Sequence, residues 1–167
     1  MANVLVVFAT RSGATRELAA AIADTLRTGG ATVDVKTARS VRGSIADRDL
    51  VVLGSPLYHG RWLTSAHRFL ERHRADLQHM PVAVFASGPL ERTDEAWNRS
   101  TTQFAEALAK HQWLSPAATA LFGGADELGR SLSPRRDLRD WGAIRAWAVE
   151  IGGHVGNTDS ARHADSR

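Results

Sequence analysis

Three short stretches of almost unbroken apolar residues limit the fold of this chain more than any other feature. Residues 3–9 (NVLVVFA), 49–54 (DLVVLG) and 81–86 (PVAVFA) are rich in valine and carry no alternation. A strand with one wet face alternates. Runs like these suit strands covered on both faces, the condition of a parallel sheet between helical layers. Pro81 opens its run, where a missing N–H is tolerated.

The segments between these runs are amphipathic. Residues 15–27 place Leu18, Ile22 and Leu26 at helical spacing, and Gly29 and Gly30 end that helix. Residues 65–75 carry Ala66, Phe69 and Leu70 on one face, and residues 94–111 carry Trp97, Thr101, Phe104 and Leu108. A last helix over 140–152 spaces Trp141, Ile144, Ala148 and Ile151. Residues 32–37 (TVDVKT) alternate and read as a strand nearer an edge, and 117–122 (AATALF) read as the fifth strand. The connection 38–48 has room for a short helix at most. Five strands separated by helices predict an α/β fold with a parallel sheet covered on both faces. One domain over 1–156 is expected, followed by a polar tail, 157–167, expected to be disordered.

Composition narrows the chemistry. The chain has no cysteine, which excludes disulfides, thiol catalysis, iron–sulfur clusters and cysteine zinc sites. Redox work would fall to a bound cofactor. His67, His73, His79, His111, His154 and His163 show no ligand spacing with carboxylates and read as surface or helix positions; no metal site is expected. No apolar run approaches the roughly 20 residues that span a bilayer. The start of the chain lacks the charged and apolar regions of a signal peptide, so a cytoplasmic protein is expected. The formal charge is +3 and the isoelectric point about 10.1, because nearly all the basic residues are arginine. Arginine is spread along the chain, which reads first as an ordinary solvated surface; the sharper reading is a surface suited to anionic substrates or the headgroups of an anionic membrane. No basic patch interleaves with aromatic residues on a recognisable module, so nucleic acid is not an expected partner.

The clearest local signal follows the first strand. Thr10, Arg11, Ser12, Gly13, Ala14 and Thr15 lead straight into a helix. Such a turn gathers backbone N–H groups and hydroxyls at the positive end of a helix, and glycine lets an anion come close. A phosphate monoester fits this chemistry. Helix capping by Ser, Thr and Gly is the alternative reading of any one of these residues. The P-loop lysine motif and the G-x-G-x-x-G fingerprint are both missing.

TRSGAT at 10–15 resembles the FMN phosphate loop of flavodoxins, and the resemblance extends over most of residues 3–152. It implies a three-layer flavodoxin-like fold with sheet order 2-1-3-4-5 and FMN bound at the switch point, beyond the carboxyl ends of the strands. Two further loops there would meet the flavin ring. The first holds Pro56, Leu57, Tyr58, His59, Gly60, Arg61 and Trp62. Tyr58 and Trp62 are stacking candidates, although Trp62 could equally begin the next helix and pack into the core. In flavodoxins a peptide of this loop reorients beside flavin N5 on reduction, a role that would fall to His59 and Gly60. The second loop, Ser87, Gly88, Pro89, Leu90 and Glu91, resembles the segment along the pyrimidine edge, offering backbone N–H groups with close approach at Gly88.

Within the superfamily, residues 55–73, 80–90, 112–124 and 140–151 resemble the menaquinone-dependent protoporphyrinogen oxidases. The resemblance implies an FMN-dependent oxidoreductase with porphyrinogen or quinone as substrate; the alternative is an electron-transfer module that serves a redox partner. That family carries a longer insertion before the last helix than the stretch 125–139 here.

Overall fold

The computed structural model describes residues 1–126 and 134–164, and side chains as far as Val155. The five long strands are β1 (Asn3–Phe8), β2 (Thr32–Thr37), β3 (Leu50–Tyr58), β5 (Val82–Ser87) and β6 (Ala118–Phe122). They form one parallel sheet in the order β2-β1-β3-β5-β6, the expected topology. A two-residue strand, β4 (Arg61–Trp62), folds back antiparallel on the end of β3 and was not expected from the sequence.

Successive residues of β1 serve opposite faces. Val4, Val6 and Phe8 join a cluster with α1 (Ala14–Thr28) and α5 (Trp141–Ala164), while Leu5, Val7 and Ala9 join a second cluster. The second cluster is covered by α2 (Thr64–Arg72), the one-turn α3 (Arg74–Leu77) and α4 (Asp94–Ala109). Period-2 side-chain placement thus splits each apolar run between two cores, which is why these runs lack alternation.

Several boundaries differ from the sequence reading. The buried stripe of α4 is Ala96, Ser100, Phe104 and Ala107; Thr101 is exposed and Trp97 is half-buried. The α4 face is dictated by what it covers, since Ser100 sits directly under Gly88. The stretch 38–48 has no helix and forms turns, with Ala38, Val41 and Ile45 buried and Asp76 accepting from the Ile45 N–H at 2.9 Å. The helix α5 continues to Ala164, so residues 157–164 of the expected tail extend it, and 165–167 lie outside the described residues. No proline interrupts that continuation, and a helix already nucleated propagates readily. Among the described residues, no helix is long and apolar enough to cross a membrane.

Candidate functional site

The carboxyl ends of β1, β3 and β5 bring the three sequence-predicted loops to one rim of the sheet. They are tied together by backbone bonds. The Ala9 N–H donates to Gly54 O at 2.9 Å, and the Gly88 N–H donates to Phe122 O at 3.0 Å. Gly54 lies under the Phe85 ring, where an added Cβ would fall 1.9 Å from a ring carbon, so the sheet tolerates no side chain there.

Residues 10–15 form an open turn. Gly13 is the N-cap of α1 with φ 91°, and no heavy atom lies within 4 Å of where its Cβ would stand. The left-handed backbone favours glycine. No side chain caps the helix, and the first-turn N–H groups have no intrahelical partners. The Gly13 N–H donates to Thr10 Oγ1 at 2.9 Å, which leaves the Thr10 hydroxyl proton free to be donated elsewhere. Ser12 is exposed, while Thr15 is buried with a hydroxyl that bonds nothing among the described residues. An unfilled cradle of amides and hydroxyls at a helix N-terminus fits a phosphate.

The second loop is mostly strand. Pro56 pairs with Ser87 in register, and Leu57 and Tyr58 pair with Trp62 and Arg61 of β4. Only His59 and Gly60 make the turn, at φ 48° and 76°. Two consecutive left-handed residues make the tight hairpin turn whose twist matches its strands. Ser55, fully buried, staples this hairpin to α2 by accepting the Leu63 N–H at 3.1 Å and donating to Pro56 O. Gly60 presses on α4, since a Cβ there would meet the Gln103 amide nitrogen at 2.8 Å.

Of the stacking candidates, Tyr58 is at the rim. The Arg11 guanidinium carbon sits 4.2 Å from its ring centroid, so the first and second loops touch through a cation–π contact. Trp62 is not at the rim. It is 3% exposed and packs against Phe104 and His67, so of its two readings the structure supports the core one. Alternation explains it: Trp62 faces opposite to Arg61, and the hairpin turns that face inward.

In the third loop, the amide of Gly88 is already engaged with Phe122 O. Its missing side chain makes room for Leu57 and Ser100, each 3.0 Å from a Cβ position. The space at Gly88 is thus taken up on one side by protein. Ser87 is buried at the end of β5, and Leu90 is half-buried. The N–H groups of Leu90 and Glu91 are the donors that this loop still offers a ligand, since Pro89 has none.

The sequence missed two groups beside the site. Arg139 is bonded to Glu17 in the first turn of α1 and to Asp137 at 2.6 Å, and it offsets an acid next to the anion cradle. The same guanidinium holds the Asp137 carboxyl down to about 2. On the other face, Glu71 Oε1 lies 2.6 Å from His111 Nδ1, and His111 Nε2 lies 2.7 Å from His67 Nδ1. The sequence reads His111 and His73 as surface or helix positions; both are buried, His73 as the C-cap of α2 and His111 past the end of α4. Burial, then the neighbouring His111 and Lys110, push His67 below the ordinary imidazole value. His67 and Glu71 are one turn apart on α2, but His111 lies about forty residues further on, so no spacing in the sequence could have joined it to them. Among the described residues, no group of three acidic, histidine or cysteine side chains is placed to hold a metal ion.

A doubly wound parallel sheet with an uncapped, glycine-opened turn after its first strand defines the class: a flavodoxin-like α/β protein whose open helix N-terminus lies at the switch point. The chain belongs to the flavodoxin-domain family, whose model matches residues 5–129. It is 27% identical over 124 residues to protoporphyrinogen IX dehydrogenase (quinone) of Escherichia coli strain K12, covering 74% of this chain and 68% of that protein. Among solved structures it is similar to a flavodoxin from the domain Archaea, with a TM-score of 0.61 and 18% identity over 92% of this chain and 99% of that one. It also superposes on oxidised flavodoxin 1 from Bacillus cereus, with a TM-score of 0.59 and 18% identity over 93% and 98% of the two chains. The rubredoxin oxygen:oxidoreductase of Desulfovibrio gigas matches with a TM-score of 0.61 and 17% identity, covering 93% of this chain and 36% of that one.

Proposed function

We propose that the chain binds FMN non-covalently and acts as a flavin-dependent oxidoreductase of the porphyrinogen–quinone type. The observation that carries this reading is the open turn at Gly13, ahead of a 15-residue helix with no side-chain cap. The phosphate is assigned to the amides of this turn, the Thr10 and Ser12 hydroxyls and the orphaned Thr15 hydroxyl. The ring is assigned to the rim formed by Tyr58, the 59–60 turn and the amides of Leu90 and Glu91. When bound, FMN supplies the acceptance and release of electrons, and the protein sets its orientation and access. Arg11, standing on Tyr58, must leave that face or share it with the ring.

The likeness to the Escherichia coli dehydrogenase supports a porphyrinogen and a quinone as the reaction partners. The basic surface supports it too, because porphyrinogens carry carboxylates, and a basic protein docks poorly on the basic patches of many redox partners. No side chain is assigned as an acid or a base.

The test has two stages. Purified protein incubated with FMN is expected to hold the flavin through gel filtration with its yellow spectrum; a protein that stays colourless with excess FMN rejects the reading. The holoprotein mixed anaerobically with protoporphyrinogen is expected to bleach and to regain colour with a menaquinone analogue. A flavin bleached only by a protein reductase assigns the chain to the electron-transfer class instead.

A further inference from the structure

Two cavities lie side by side on the α2 face, past the end of β2, and share Ala38, Arg39 and Ser65. The first, of about 310 Å3, is walled by Arg39 and Arg42 from the 38–48 connection and by Arg68 and Arg72 from α2, over Phe69. The second, of about 440 Å3, runs from Arg39 past Thr37 and Thr64 to Thr10 and Arg11 of the first rim loop. Neither cavity is lined by an aspartate or glutamate.

Some arginines of this chain are matched with acids: Arg27 with Asp24, Arg48 with Asp34, Arg136 with Asp126 and Arg139 with Glu17. None of the four arginines of the first cavity forms an ion pair among the described residues. Arg68 and Arg72 are one helical turn apart on the same face, an arrangement that repels. Two further guanidinium groups face them from 38–48. The fold holds four like charges around a hollow with nothing to neutralise them, and an anion placed between them relieves the repulsion of every pair.

Guanidinium is a planar fork matched to the two oxygens of a carboxylate. Opposed pairs of forks suit a ligand with more than one such group. Phe69 and Ala38 supply an apolar floor for the carbon skeleton. The volume is that of a small-molecule site.

We propose that the Arg39–Arg42–Arg68–Arg72 cavity binds small molecules that carry two or more carboxylates, with the rest of the ligand lying along the second cavity toward Thr10 and Arg11. Binding stands on the cavity alone. That the ligand is a redox substrate, anchored by its acid groups while its reacting part reaches the flavin rim, rests on the function proposed above.

The experiment uses calorimetric titration of the full chain with citrate, inorganic pyrophosphate and acetate, and flotation with phosphatidylglycerol vesicles. The variants are Arg68→Gln/Arg72→Gln from one wall and Arg39→Gln/Arg42→Gln from the other. Citrate is expected to bind at least tenfold tighter than acetate and at least as tightly as pyrophosphate. Each double variant should lose at least tenfold for citrate while keeping the wild-type melting temperature and the FMN affinity within twofold. Citrate binding equal to acetate, or unchanged in both variants, overturns the proposal. So does a clear preference for pyrophosphate, and so does vesicle binding that depends on these arginines when citrate binding does not. A citrate site that behaves as expected on a protein that never takes up FMN would sink the proposed function and leave this site standing.

Discussion

The rim turn at residues 10–15 and the arginine cavity beside it are the two anion sites proposed, and they are built in opposite ways. The turn uses backbone amides, hydroxyls and a glycine with φ 91°, with Arg11 lying aside on Tyr58. The cavity uses side-chain cations from two elements about thirty residues apart, all exposed. Fixed amide dipoles bind one anion in one geometry and need no counter-charge, since the helix supplies it. Flexible guanidinium groups accept varied anions and depend on full charges that salt screens. The turn is therefore suited to a resident group, and the cavity to ligands that come and go.

The largest expected effect comes from closing the turn. Gly13→Val places a β-branched residue in the left-handed region, at a cost of order 1–3 kcal/mol, and puts a side chain into the open space assigned to the phosphate. FMN affinity, followed by quenching of flavin fluorescence, should fall at least about a hundredfold, with citrate binding unchanged within twofold. An equal loss of both ligands would break the distinction between the two sites. Next in size is the effect of salt. Raising NaCl from 50 to 500 mM should weaken citrate binding by about tenfold and FMN binding by less than about threefold. Smaller again is Ser55→Ala, which strips the buried hydroxyl from the Leu63 N–H and should destabilise the fold by about 1–2 kcal/mol in urea titration. Because the hairpin carrying Tyr58 loosens with it, FMN affinity should fall a few-fold, while the arginine cavity is left intact.

The same contrast decides what could be read from the sequence. The turn is local: strand, T-x-S-G-x-T and helix are contiguous, and each position carries its own physical reason. The sheet order was legible for a related cause, since runs such as NVLVVFA leave few places to be buried. The cavity was not legible, because Arg39 and Arg68 become neighbours only when α2 packs beside the 38–48 connection. Trp62 lost its place at the rim for want of one fact: that a two-residue turn reverses the chain at Gly60 and β4 follows. The stripe on α4 slipped by one residue because Ser100, a poor core residue by hydrophobicity, is what fits under Gly88. At Gly88 the sequence could not show that Leu57 and Ser100 fill the space left by the missing side chain.

The Glu71–His111–His67 chain provides the smallest effect and a control for the arginine cavity, because none of the three residues lines it. With Glu71 ionised, its oxygen accepts from His111 Nδ1–H, and His111 Nε2 is then bare and accepts from His67 Nδ1–H. This pattern needs a hydrogen on His67 Nδ1, which both the neutral Nδ1–H tautomer and the imidazolium carry. A proton on His111 Nε2 would set two donors face to face. Burial and the nearby His111 and Lys110 lower the His67 value, and burial lowers that of His73. A histidine with a depressed value in the folded state stabilises the fold above its unfolded value of about 6.5, and that contribution is lost as pH falls below it. Hydrogen bonds from His111 and Trp113 lower the Glu71 value, and its contribution is lost on further acidification below about 4.5. Both changes have the same sign, so urea stability should fall steadily from pH 7 to pH 4. His67→Phe keeps a ring beside Trp62 and removes one titrating group, and it should flatten the upper part of that fall, between pH 7 and 5. An unchanged slope would show that His67 titrates alike in the folded and unfolded chains, and that its burial does not lower its value.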